Sequence, residues 1–105
     1  MSAYQVFLKN KKRSKLSSKD AAQRSHARRR FDERYDCHLT ESIYNEMVWK
    51  IQHGEGRHLS KQTNRLSVYS VESPIGDVPV VYDKQRGNIV TFLTEDMVRT
   101  GEHYE

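Results

Sequence analysis

The chain has one cysteine, two prolines and five glycines among its 105 residues. Each scarcity closes off a class of protein. A lone Cys37 excludes an intrachain disulfide and a four-cysteine zinc site, and it fits a reducing compartment. No apolar run approaches the roughly 20 residues that a membrane-spanning helix needs, and no apolar stretch of signal-peptide type opens the sequence. The expected location is therefore the cytoplasm, and for a phage-encoded protein the host cytoplasm. Neither a Gly-x-Gly-x-x-Gly nor a Walker A motif is present, which removes the usual nucleotide-cofactor enzymes, and no cofactor is expected. His38, His53 and His58 show no Cys-x-x-Cys or His-Glu-x-x-His spacing, so no metal site is expected either.

Charge is plentiful but uneven. Up to Arg34 there are eleven Lys and Arg against three Asp and Glu, and after Arg34 there are seven against eleven, for a net charge of +4. A chain polarised in this way orients on an anionic partner. Nucleic acid suits it better than a membrane, because the first helix carries alanine where an inserting helix would carry leucine or tryptophan. Residues 1–18 are too rich in Lys, Arg and Ser to offset their ordering entropy by burial, so they read as a basic flexible arm. A short apolar patch, Tyr4 to Leu8, offers an edge strand as the alternative. One α+β domain is expected over 19–97 and a C-terminal tail over 98–105.

Ser18 suits the N-cap of a helix over 19–35 with Asp20 in its first turn, and Ala22, Ser25, Ala27 and Phe31 make a thin apolar stripe. Thr40 caps a second helix carrying Ile43, Met47, Val48 and Ile51, with Leu39 and Tyr44 placed as a hydrophobic staple and Gly54 or Gly56 as terminator. Trp49, at helical spacing, reads as a partly buried packing residue, with a base-stacking platform as the alternative. Alternating patterns then predict strands over 65–71, 77–82 and 88–93, separated by turns at 73–76 and 83–87, with a further strand over 58–63. Pro79 lacks an amide and so points to an edge position for the second of these strands, or to a proline whose amide side faces outward, whereas the hydrophobic 88–93 segment reads as the central one. The expected fold is two N-terminal helices packed on a three- to four-stranded antiparallel sheet.

His26, Arg30 and Arg34 recur every four residues and share one helix face. Cations in a row repel unless an anion lies beside them, and phosphate would supply it. Imidazole can move a proton near neutral pH, and guanidinium forks match phosphate oxygens. A solvated basic helix face is the alternative reading of the same spacing.

These residues also carry a resemblance. The run His26-Ala27-Arg28-Arg29-Arg30-Phe31-Asp32-Glu33-Arg34, of the form His-Ala-x-x-Arg-x-x-x-Arg, is followed by a closing hairpin, Val80-Val81-Tyr82-Asp83 through Ile89-Val90-Thr91. Together they resemble a small bacterial and phage domain family similar to the toxin-type ribonucleases called barnase-EndoU-colicin-RelE-like, over roughly residues 24–95. The resemblance implies a RelE-like fold and metal-independent cleavage of RNA. It assigns His26 as base or acid, Arg30 or Arg65 to the transition-state charge, and Tyr82 or Thr91 as hydrogen-bond donor. Lys11, Lys12, Arg13, Lys15, Arg28, Arg29, Arg34 and Tyr69 would then hold the RNA. A second acid–base group would fall to His103 or Tyr104. The alternative is a noncatalytic phage or bacterial protein whose basic arm and first helix bind nucleic acid or an acidic protein, such as an antitoxin, a host factor or a neighbouring subunit.

Overall fold

A computed structural model describes residues 18–100. Helix α1 spans Ser18–Tyr35 and α2 spans Glu41–Gln52; the strands are β1 Arg57–Lys61, β2 Leu66–Ser73, β3 Gly76–Asp83 and β4 Asn88–Phe92; a short helix α3, Glu95–Thr100, follows. The strands form one antiparallel sheet in the order β1-β2-β3-β4. This is the α+β arrangement the patterning predicts, with the fourth strand present.

Local chemistry sets the boundaries. Thr40 is extended and its Oγ1 accepts the Ile43 amide at 3.2 Å, so α2 begins as expected, and it ends at His53 before Gly54, whose φ of 79° is open to glycine at no steric cost. α1 is already helical at Ser18, the first described residue, and ends at Tyr35, where Asp36 turns into the left-handed region at φ 54°. The two-residue turn Pro74–Ile75 joins β2 to β3, and the Ser73 hydroxyl ties it by accepting the Ile75 amide and donating to the Gly76 carbonyl.

One face of the sheet packs against α1 and α2. Ala27 and Phe31 of α1, Leu39, and Tyr44, Met47, Val48 and Ile51 of α2 are buried with Val71, Val78, Val80, Tyr82, Ile89 and Phe92. Phe31 meets Phe92 edge-on at 5.1 Å. Each such buried side chain contributes about 1.5–3 kcal/mol by leaving water. Ala22 and Ser25, expected on this stripe, are exposed; hydrogen-bonding Gln23, Arg24, Arg28 and Arg34 flank Ala27 and Phe31 instead. On the opposite face Val68, Val81 and Leu93 are buried, with Leu59, Leu66, Val90, Met97 and Val98 around them. α3, unexpected from the sequence, brings Met97 and Val98 to this cluster, and Thr94 starts it by accepting the Met97 amide. Cys37 packs half-buried against the helix-side core.

Strand order corrects two expectations. The 88–93 segment forms an edge strand, not the central one, and β3 with its Pro79 lies inside the sheet. Pro79 is tolerated because β4 ends at Phe92, just where its missing amide would be needed. The Leu93 amide donates to the Pro79 carbonyl at 2.8 Å, and the Leu93 carbonyl, which Pro79 cannot serve, accepts the Tyr35 hydroxyl. Side chains close the rest of the β4 edge. The buried Tyr44 hydroxyl accepts the Ile89 amide at 2.9 Å and donates to the Ile89 carbonyl at 2.8 Å, while Arg34 donates to the Phe92 carbonyl at 2.8 Å. At the other margin, β1 carries a register shift between His58 and Ser60, and among the described residues nothing pairs with its outer side.

Candidate nucleic-acid interface

α1 runs alongside β4 and is pinned at both ends. Near its start, Gln23 donates to the Asp83 carboxylate at 3.3 Å and accepts the Asn88 side-chain amide at 2.9 Å. Near its end, Arg34 reaches the Phe92 carbonyl and the Thr91 hydroxyl, the latter at 3.4 Å. Gln23, His26, Arg30 and Arg34 follow one another at intervals of three, four and four residues, so His26 and Arg30 lie along the flank between these two pins. Both are half-buried. Arg30 also pairs with Glu33 at 2.9 Å. The mutual repulsion expected along this row is therefore relieved within the protein, by Glu33 at Arg30 and by a carbonyl and a hydroxyl at Arg34.

The other arginines of α1 divide by role. Arg28 donates to the Leu39 carbonyl at 3.2 Å, which holds the α1–α2 connection. Arg24 spans Asn45 and Asn88 and lies 4.8 Å over the Tyr44 ring. Arg29 is exposed. Lys11, Lys12, Arg13 and Lys15, together with Tyr4 to Leu8, His103 and Tyr104, lie outside the described residues.

At the end of the sheet where α1 begins, the β1–β2 and β3–β4 turns lie side by side around Asp83. This carboxylate is fully buried and accepts Arg65 Nη2 at 2.6 Å, Gln23, and the amides of Gln85 and Arg86 at 2.9 and 3.0 Å. Burial alone would raise its pKa. The hydrogen bonds from Arg65, the Arg86 amide, Gln23 and the Gln85 amide outweigh burial and hold it below the usual carboxylate range. Arg65 stands just before β2, not within the strand as expected, and is half-exposed. Together with Lys84, Thr63, Asn64 and Gln85 it lines an open depression of about 640 Å³ with no carboxylate among its lining residues. Lys61 closes β1 before the first of these turns, and Arg86 stands on the second and ties back to Asp20 of α1 at 3.1 Å.

The residues named by the resemblance thus fall into two groups. His26, Arg30, Arg34, Thr91 and Arg65 belong to the flank of α1 and the elements to which it is pinned. Tyr82 and Tyr69 belong to the helix-covered face, where the Tyr82 hydroxyl accepts Gln52 Nε2 at 3.0 Å and Tyr69 is held edge-on between Tyr82 and His58. Thr91 is buried under Arg34. Sequence reasoning missed Asp83 as a hub, reading it only as a turn residue. The signal was there, since an aspartate opening a turn commonly accepts amides two and three residues on. Trp49, expected to be partly buried, is 49% exposed.

Among the described residues no group of three His, Cys, Asp or Glu side chains is placed to hold a metal ion, and no helix is long and apolar enough to cross a membrane. No family model, no curated protein sequence and no solved structure matches this chain.

Proposed function

We propose that the protein binds RNA by its phosphate backbone, along the exposed flank of α1 and across the depression between the two turns. The observation that carries this reading is the charge at that depression. Lys84 is exposed there beside the half-exposed Arg65, whose guanidinium pairs with the buried Asp83, and none of the lining residues is a carboxylate; Asp20 is held by Arg86. Cations held on two rigid turns match the spaced negative charges of a phosphate chain at little ordering cost. His26 and Arg30 extend the same flank.

The test is retention of labelled mixed RNA as salt is raised. Affinity should fall linearly on logarithmic axes with a slope of about −0.7 per phosphate contact, and Lys84→Ala and Arg29→Ala should each reduce both affinity and slope. Binding that ignores salt, or no binding at about 50 mM salt, overturns the proposal.

Cleavage of the bound strand is the second reading, favoured by the half-buried His26 lying beside Arg30 on the flank that Gln23 joins to Asp83 and Arg65. An imidazole there would take the 2′-hydroxyl proton while guanidinium groups hold the charged phosphate. Incubation in EDTA should then give 2′,3′-cyclic phosphate ends that His26→Ala abolishes with its fold intact. Intact RNA from the wild type ends this reading and leaves binding standing.

A further inference from the structure

We infer that Trp49 and His53 form a stacking platform for an unpaired base, so that the RNA taken up is single-stranded. This inference rests on the RNA-binding reading above and specifies its ligand. The two rings stack at the C-terminal end of α2, with centroids 4.1 Å apart and planes inclined by 18°, and the imidazole Nδ1 is held 2.9 Å from the Trp49 carbonyl. His53 is therefore fixed beneath the indole, and half of the tryptophan surface is left to solvent. An indole ordered in this way has already lost the side-chain freedom that stacking on a base would otherwise cost it.

The position of the platform argues for a base as the occupant. Gln52, three residues after Trp49, reaches the Tyr82 hydroxyl, and a Cβ at Gly87 would stand 3.3 Å from its Nε2, so this flank of α2 abuts the β3–β4 turn that carries Lys84 and Arg86. Asn45, four residues before Trp49, receives Arg24 of α1, which also reaches Asn88 at the start of β4. The platform thus borders the cationic end of the molecule. Its surroundings are polar: Asn45, which receives Arg24, Gln52, and Glu46, which shares Lys50 with Glu72. Among the described residues the other large exposed hydrophobic side chain, Ile75, sits at the opposite end of the sheet, on the β2–β3 turn. A half-exposed indole on the flank of α2 that abuts the β3–β4 turn suits a π-face joined to a phosphate chain. Duplex RNA offers no unstacked base to such a surface.

Trp49 is the single tryptophan of the chain, so its emission reports the platform directly. The full chain is titrated with a labelled single-stranded oligouridylate of about ten nucleotides and with a duplex of equal length, following label anisotropy and tryptophan emission together. The single strand should quench Trp49 saturably, with the same midpoint as the anisotropy change, and the duplex should not. Trp49→Ala should weaken single-strand binding about 5- to 150-fold, the range set by about 1–3 kcal/mol per stacked base, and leave duplex binding unchanged. Trp49→Phe should fall between, which separates loss of the ring from damage to the helix. Anisotropy that reports binding while emission stays constant, or an unchanged affinity in Trp49→Ala, overturns the platform and leaves RNA binding intact. Absence of both signals overturns RNA binding and the platform with it. Emission that responds only to an added protein, never to an oligonucleotide, overturns the platform in favour of a protein contact.

Discussion

Replacing Tyr44 by phenylalanine removes one oxygen atom and opens no cavity, so its cost isolates how the β4 edge is closed. The hydroxyl serves both backbone groups of Ile89, and all of these atoms lie in the core. Losing it orphans one buried amide and one buried carbonyl. At about 1–3 kcal/mol for each unsatisfied group, with some relaxation, the expected loss is about 2–4 kcal/mol. For a domain of this size that is a fall in Tm of about 10–25 °C. Burial also pushes the Tyr44 phenol up to about 12, despite the opposing influence of Arg24. The unfolded chain ionises first, near its ordinary value of 10.0, so this contribution to stability is complete below pH 10 and is lost as pH rises toward 12. Two units at about 1.4 kcal/mol each make an alkaline loss of about 3 kcal/mol. The Phe variant should be less stable at pH 7 yet decline less steeply above pH 10. Urea titrations across this range, with hydrogen exchange at the Ile89 amide, measure both effects. A neutral-pH cost below about 0.5 kcal/mol with Ile89 still protected would refute the assignment of edge closure to this hydroxyl.

Two other perturbations test separate parts of the structure. Asp83→Asn keeps the shape of the hub but turns an amide nitrogen toward Arg65 or the turn amides, and should cost about 1–3 kcal/mol at pH 7. Because the folded Asp83 carboxyl is held below its ordinary value, its contribution is present above that value and is lost as pH falls through the folded one, so urea midpoints compared between pH 7 and pH 3 should change less in the Asn variant. Asp36→Gly relieves a left-handed backbone at the end of α1 and removes a negative charge from the helix C-terminus, and calorimetry should show a gain of about 0.5–1 kcal/mol.

The sequence was legible wherever a local rule governs. Thr40 and Gly54 mark both ends of α2, and Ser73-Pro74-Ile75-Gly76 marks a turn, because capping and turn chemistry involve residues close in the chain. Strand order was not legible. The apolar 88–93 segment suggested a centre because a buried strand looks alike whether another strand or a helix covers it, and here α1 and Tyr44 seal its outer side. Pro79 misled for the complementary reason, since its missing amide faces the point where β4 stops. At the candidate site, four-residue spacing placed His26 and Arg30 on one flank but could not reveal that Arg34 turns inward to a carbonyl. Arg65 was marked by resemblance alone, and its partner Asp83 stands eighteen positions away in the chain. Trp49 shows the limit of periodicity, which reads it as a packing residue although half of its surface stays in solvent.

The two margins of the sheet differ in valency. Tyr35, Arg34 and Tyr44 occupy the backbone groups along β4, so no incoming strand can add there, whereas β1 remains available on its outer side among the described residues. A building block with one reactive edge cannot form a chain of copies, since growth by strand addition ends once two open margins meet. That meeting is itself opposed. A symmetric antiparallel pairing of β1 about Leu59 would set Arg57 of one copy against Lys61 of the other, twice over, with a bulge at its centre. Among the described residues the sheet thus has one closed margin and one open margin, and the open one resists pairing with its own copy.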